Sequence, residues 1–237
     1  MKSKTFFITG IDTNIGKSIA TGWMAKYLLD KNIRVITQKL IQTGCHGFSE
    51  DLEIHRQLMG ISFQKSDLEG ITCPYLFSYP CSPHLAAEID QQEIDPGFIQ
   101  TCTQKLESEY QIVLLEGAGG IMVPITRKLL TIDYIEQNKY PVILVTSSRL
   151  GSLNHTLLTL EACFARNIEV AGIIYNRFQE SDKQISDDFI QTIQEYLNRI
   201  NKKIPFATMN DLANGMNVDF GNIFNKKEYL TSILSVR

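Results

Sequence analysis

A chain of 237 residues with 23 Lys and Arg against 26 Asp and Glu has a net charge of −3, and its cations are scattered rather than clustered. That balance gives no broad basic field to attract nucleic acid or an anionic membrane surface. The length suits a single domain across residues 1–237 that buries about 70% of the surface its unfolded chain exposes, with no need of staples. The five cysteines, Cys45, Cys73, Cys81, Cys102 and Cys163, are odd in number and lack a C-x-x-C pair. They read as reduced thiols in a cytoplasmic protein, not as a disulfide or zinc framework. Neither a signal-peptide core nor an apolar span of about 18 residues is visible.

The first element is a short apolar run, Thr5-Phe6-Phe7-Ile8-Thr9, that reads as a buried strand. Gly-Ile-Asp-Thr-Asn-Ile-Gly-Lys-Ser follows at 10–18 and opens a helical pattern (Ile19, Trp23, Tyr27, Leu28) that runs about four turns to Asp30. Strand, glycine-bounded loop and helix are the context a phosphate-binding loop demands. Backbone N–H groups point inward, Gly16 leads into a positive helix end, Lys17 reaches the β- and γ-phosphates, and Ser18 can ligate Mg²⁺. Five residues separate Gly10 from Gly16 where the strict pattern has four, so the loop is a deviant form.

Lys31-Asn32 is a turn, and Ile33-Arg34-Val35-Ile36-Thr37 is predicted as the second strand. Residues 50–59 have helical periodicity. Pro74, Pro80 and Pro83 make 71–83 mostly irregular, and Asp95-Pro96 is an N-cap with an N1 proline opening a helix to about Glu109. Three near-continuous apolar runs follow, at 112–115, 142–145 and 170–175, separated by helical segments. Runs of that kind are parallel strands covered on both faces, so the fold class is α/β, a doubly wound and mainly parallel sheet with helices on both sides. Ligands of such sheets sit beyond the carboxyl ends of the strands.

Four strand ends, that of the phosphate loop included, carry chemistry-bearing residues. The second places Lys39 near the loop, either as a solvated surface lysine or as a further cation for a transferring phosphoryl group. The apolar run at 112–115 ends in Glu116-Gly117-Ala118-Gly119-Gly120, an acid followed by small residues that admit a close backbone approach. Glu116 suits a Mg²⁺ ligand beside Ser18, and Asp51 is the best additional carboxylate. Taken alone, Asp51 reads as a helix-start charge after Ser49-Glu50. Asn176, in Tyr175-Asn176-Arg177, is either a turn residue or an amide able to read an adenine edge.

In their order, Gly-x-Asp-Thr-x-x-Gly-Lys-Ser, Lys39 with Thr43-Gly44, Glu116-Gly-Ala-Gly-Gly, Leu150-Gly151-Ser152-Leu153-Asn154-His155 and Asn176 resemble the dethiobiotin synthetases over nearly the whole chain. The resemblance implies an ATP-dependent cyclo-ligase of biotin biosynthesis that closes a ureido ring on 7,8-diaminopelargonate with CO₂, releasing ADP and phosphate. It implies that Lys17 and Lys39 hold phosphates and carry catalysis, and that Ser18, Asp51 and Glu116 bind Mg²⁺. The nucleotide would further meet Asn14, Ile15, Gly16, Ile19, Gly117, Ala118 and Gly119, with adenine near Asn176, Arg177, Pro205, Phe206 and Ala207. Thr43, Ser82 and Pro83 would touch the substrate, whose carboxylate would be received by backbone N–H groups of Leu150, Gly151, Ser152, Leu153 and Asn154 across a homodimer interface, in keeping with anion binding at helix starts. His84 alone reads as a structural histidine. Asn14, Ser18 and Arg177 are departures from the family's usual residues, and the tyrosine expected for the substrate carboxylate is not evident, Phe189, which has no hydroxyl, being the nearest aromatic. The competing readings are a partition or cargo-loading ATPase switch on the same sheet, and an amidotransferase-type synthase. The first usually has a lysine where this loop has Asp12-Thr13, and the second generally needs more chain.

Overall fold

The computed structural model describes residues 4–147, 149–177, 182–209 and 218–224. Of the segment 214–237, which the sequence left unassigned, only 218–224 fall within that range. In chain order the elements are β1 (Lys4–Gly10), α1 (Lys17–Asp30), β2 (Val35–Lys39), β3 (Gln42–Thr43), α2 (Glu50–Met59), α3 (Lys65–Leu68), β4 (Leu76–Phe77), α4 (Pro83–Ile89) and α5 (Pro96–Glu109). They continue with β5 (Ile112–Glu116), β6 (Pro124–Thr126), β7 (Leu129–Leu130), α6 (Thr131–Asn138), β8 (Val142–Thr146), α7 (Ser152–Ala165), β9 (Val170–Asn176), α8 (Lys183–Arg199), β10 (Phe206–Met209) and α9 (Gly221–Phe224).

Six strands form one parallel sheet in the order β10-β9-β8-β1-β5-β2, with β3-β4 and β6-β7 as two-stranded additions. Every residue of β2, β5, β8 and β9 is buried. The unbroken apolar runs are therefore covered on both faces, as the sequence predicts, and Phe6, Phe7, Ile8, Leu114, Leu144 and Ile174 belong to one continuous core. Each large side chain taken fully from water contributes about 1.5–3 kcal/mol.

The second strand begins two residues later than its apolar run suggests. Asn32 adopts a left-handed conformation (φ 59°) and ends α1 in a Schellman turn, with Ile33 N–H donating to the Leu28 carbonyl at 3.0 Å and Asn32 N–H to that of Leu29 at 2.8 Å. Ile33 thus seals the helix end, and the strand runs on to include Lys39. Asp95 caps α5 as predicted, accepting from Gly97 N–H at 2.8 Å.

Helix α2 is held at both ends and along one side. Ser49 caps it, accepting from Leu52 N–H, three acids lie in its first turn, and Gly60 closes it in a left-handed conformation. It lies close against α1 because Gly22 has no side chain; a Cβ there would come within 2.8 Å of Leu58. Its far end is pinned by Arg56, a buried guanidinium donating to both oxygens of Asp67 (2.7 and 2.8 Å) and to the Thr37 hydroxyl on β2 (2.6 Å). Burial alone would raise the Asp67 pKa, but the Arg56 contacts and a Thr72 hydroxyl hold it below the usual carboxylate range. Its stabilising contribution is thus complete above the ordinary carboxyl pKa and is lost as pH falls through the lowered value. Asp67→Ala, which strands the Arg56 charge, is expected to cost about 3–5 kcal/mol at pH 7. Urea unfolding at pH 7 and at acid pH checks this, and the penalty should shrink on the acid side.

Candidate active site

The phosphate loop leaves β1 at Gly10 and turns into α1 through Gly16, whose φ of 92° is a left-handed conformation suited to glycine. Asn14, at φ 55°, supplies a second left-handed residue, and no side chain caps the first turn of α1. Successive N–H groups in such a turn form an anion-binding concavity. Lys17 is buried, and its ammonium curls back to donate to the Asp12 carbonyl at 2.8 Å. Burial, and then the charge of Lys39, bring its pKa down to about 8. Burial thus outweighs the pull of Glu116, Asp51 and Asp12 on this ammonium, and a phosphate beside it would favour the charged form.

Across the cleft, strand register assembles the second half of the site. Lys39 on β2 and Glu116 on β5 are register partners, and so are Glu116 and Ile8 on β1. Lys39 and Glu116 end on the same face of the sheet, where the ammonium donates to Glu116 Oε1 at 2.9 Å, to the Gly117 carbonyl at 3.3 Å, and pairs with Asp51. Burial would lower the Lys39 pKa, but Glu116 and Asp51 outweigh it and raise the pKa above the ordinary lysine value. Burial would likewise raise the Glu116 pKa; the Lys39 charge and the His55 hydrogen bond reverse this and hold the carboxylate ionised.

Ser18 Oγ lies 2.7 Å from Asp51 Oδ1 and 3.0 Å from Glu116 Oε1. Its single proton serves one of those contacts at a time, so three oxygens converge with fewer protons than close contacts. An all-oxygen set with two carboxylates and a hydroxyl fits Mg²⁺.

Loop and cluster face one cavity of about 590 Å³, within the range of small-ligand sites. Asn14, Gly16, Lys17, Ser18 and Ile19 form one wall; Lys39, Thr43, Asp51, Glu116, Ala118 and Gly119 form another; Asn176 and Met209 close an end. Ile15 is buried behind the loop, and its carbonyl accepts from Asn176 Nδ2 at 3.0 Å. Gly117 contributes its carbonyl to Lys39. Arg177 donates its backbone N–H to Met209, and its guanidinium lies 4.0 Å from Asp187. Pro205 precedes β10, and Phe206 and Ala207 begin it. Arg177 and 205–207 do not line the cavity, nor do the remaining predicted contacts: Ser82 precedes α4 and Pro83 starts it, Leu150 is fully exposed, Gly151 precedes α7, and Ser152, Leu153 and Asn154 form its first turn.

Two features went unread in the sequence. His55, fully buried, places Nε2 2.8 Å from Glu116 Oε2; its spacing of four from Asp51 on a helix was the available signal. Arg149, just before α7, pairs at 2.6 Å with Asp12 of the loop.

A parallel sheet with a glycine-bounded loop after β1 and acids at the ends of neighbouring elements defines a nucleotide-binding protein of the P-loop class. Solved structures agree on the fold: a ParA family ATPase from Chlorobium tepidum TLS superposes with a TM-score of 0.54 at 16% identity, covering 97% of this chain and 92% of that one. A putative plasmid partition protein from Borrelia burgdorferi B31 does so with a TM-score of 0.54 at 18% identity, covering 99% of each. A family model described as an AAA domain matches residues 4–205. The ATP-dependent dethiobiotin synthetase BioD 2 of Pasteurella multocida (strain Pm70) is 51% identical over 207 residues, 87% of this chain and 97% of its own. The ATP-dependent dethiobiotin synthetase BioD of Chlorobaculum tepidum is 50% identical over 199 residues, 84% of this chain and 83% of its own. The chain belongs to the ATP-dependent dethiobiotin synthetase family.

A Cβ on Gly16 would lie 2.4 Å from Asn176 Nδ2 in a backbone conformation that L side chains avoid. Gly16→Ala is expected to weaken ATP binding at least about tenfold, the equivalent of 1.4 kcal/mol. Calorimetric titration of ATP reads this directly, and wild-type affinity would remove the loop from nucleotide binding.

Proposed function

We propose that this chain closes the ureido ring of dethiobiotin from 7,8-diaminopelargonate, CO₂ and ATP, as a biotin-biosynthetic ligase. Its name-bearing relatives at about half identity support the reaction class. The observation that carries the chemistry is the buried Lys39 ammonium, held among Asp51, Glu116 and the Gly117 carbonyl in the cavity that the phosphate loop also lines.

The reaction forms three bonds in turn. One substrate amine attacks CO₂ and loses a proton to give a carbamate; the carbamate oxygen attacks the γ-phosphorus, and ADP departs; the second amine attacks the carbonyl carbon, loses its proton, and phosphate leaves as the ring closes. Phosphoryl transfer asks little covalent work of the protein, so placed positive charge does most. With its pKa raised, Lys39 stays charged throughout the neutral range and acts as a fixed electrostatic stabiliser rather than a proton carrier. Lys17 and the loop N–H groups hold the β- and γ-phosphates. Ser18, Asp51 and Glu116 would hold Mg²⁺, which when bound supplies charge neutralisation at the phosphate oxygens. Asn176 and the backbone at 205–207, with Arg177 beside them, receive the base.

Thr43 and the start of α4 at Ser82 and Pro83 meet the diamine. Residues 150–154, the lead into α7 and the start of its first turn, present backbone N–H groups that would receive the substrate carboxylate of a second copy in a homodimer. Free thiols at all five cysteines support a cytoplasmic setting.

Phosphate release with ATP, bicarbonate and diaminopelargonate together, compared with ATP alone, tests the proposal. Release that depends on the diamine supports the ligase. Release with ATP alone supports a hydrolytic switch. Lys39→Gln should lower kcat about 10²-fold, as for removal of one preorganised charge stabiliser; unaltered turnover would remove Lys39 from catalysis.

A further inference from the structure

We propose that His55 is the positioning residue that fixes the Glu116 carboxylate and so sets the cation affinity of the site. The inference rests on the reading of Ser18, Asp51 and Glu116 as the cation's ligands. Glu116 is fully buried, and its two oxygens are divided between two tasks. Oε1 faces Ser18 and Lys39, while Oε2 meets only His55 Nε2, at 2.8 Å, among the described residues. An ionised carboxylate only accepts, so the imidazole donates from Nε2. A donor on one oxygen sets the plane of the group and leaves the other turned to the cleft.

The rest of His55 has no competing polar task. Its Nδ1 is buried without a hydrogen-bond partner among the described residues, so the ring does not bridge two parts of the core. It does not line the cavity, so its influence on a ligand passes through Glu116. It stands one helical turn beyond Asp51 on α2, and the two therefore address the same cluster from one rigid element. Gly22 lets that element approach: a Cβ there would lie 3.4 Å from the His55 Cα. Partners that orient a metal-binding carboxylate characteristically change metal affinity without touching the metal.

The test compares His55→Gln, His55→Asn and His55→Leu with Glu116→Gln. A glutamine amide reaches the place of Nε2, and an asparagine amide reaches only that of Nδ1. The readout is Mn²⁺ affinity of each protein with a non-hydrolysable ATP analogue, by electron paramagnetic resonance, beside the affinity for the same analogue in chelator. The Leu and Asn variants are expected to bind Mn²⁺ about 10–100-fold more weakly, and the Gln variant to stay close to wild type. Metal-free nucleotide affinity should be unchanged in all three. Wild-type Mn²⁺ binding by the Leu and Asn variants, with a loss in Glu116→Gln, overturns the role of His55 while leaving the ligand assignment standing. No loss in any variant, Glu116→Gln included, overturns both. Equal losses in the Gln and Asn variants, or loss of metal-free nucleotide binding, reduce His55 to a packing residue and overturn the proposal. Should His55→Leu fail to fold, the contrast between Gln and Asn decides.

Discussion

The site depends on one register. Lys39 stands opposite Glu116 because β2 pairs with β5 in that alignment, and a slip of one residue would turn the lysine to the other face of the sheet. Both side chains are taken almost wholly from water. Burying either charge alone would be very costly, and the cost is offset because each finds the other at hydrogen-bond distance, with Asp51 beside Lys39 and His55 beside Glu116. A buried ion pair of this kind is weak support for stability, but it is a strong constraint on geometry. Removing either partner leaves a charge with no solvent to receive it.

Helix α2 turns this pair into a cluster, and its own placement is over-determined. At its start the Ser49 hydroxyl donates to Gln42 Oε1 at 2.7 Å while accepting from Leu52, which ties the helix to β3. Near its end Arg56 joins it to β2 and α3 through Thr37 and Asp67. Between those anchors Asp51 and His55 point at one carboxylate and one lysine. The helix also lies against α1, which begins with Lys17 and Ser18. Loop and acid cluster are therefore held by elements packed on each other, and neither half can shift without disturbing the core.

Much of this was legible because parallel strands announce themselves as apolar runs and their carboxyl ends are where ligands bind. Lys17, Ser18, Lys39 and Glu116 could all be located on that logic, and the α5 start was written in Asp95-Pro96. Sequence could not say that Lys39 and Glu116 are neighbours, since β2 and β5 are separated by more than 70 residues whose pairing rests on tertiary packing. Asp51 stayed ambiguous for a physical reason: a carboxylate in the first turn of a helix does useful work on the dipole wherever it points. His55 was hidden because a lone histidine on a helix more often belongs to the core. The short strands β3, β4, β6 and β7, of two or three residues each, carry too few side chains to show a period. The sequence marks 205–207 only for a base contact and shows no strand there; Phe206 and Thr208 of β10 are half-buried, as suits the sheet's edge.

The two lysines of the cleft are unlike in a way that follows from their neighbours. Lys39 has two carboxylates against it, and its proton is held more tightly than in water. Lys17 has a carbonyl for its hydrogen bond, and burial first, then the charge of Lys39, loosen its proton to a pKa of about 8 against the opposing pull of Glu116, Asp51 and Asp12. Carboxylate contacts are therefore concentrated around Lys39, at Asp51 and Glu116, while the loop offers inward backbone N–H groups and its own acid, Asp12, pairs with Arg149. A phosphate chain lying along the cleft would repair that imbalance at the loop end, and its terminal unit would lie toward Lys39. Polarity within the cleft, set by where the chain places its own carboxylates, would thus favour one direction for a bound nucleotide.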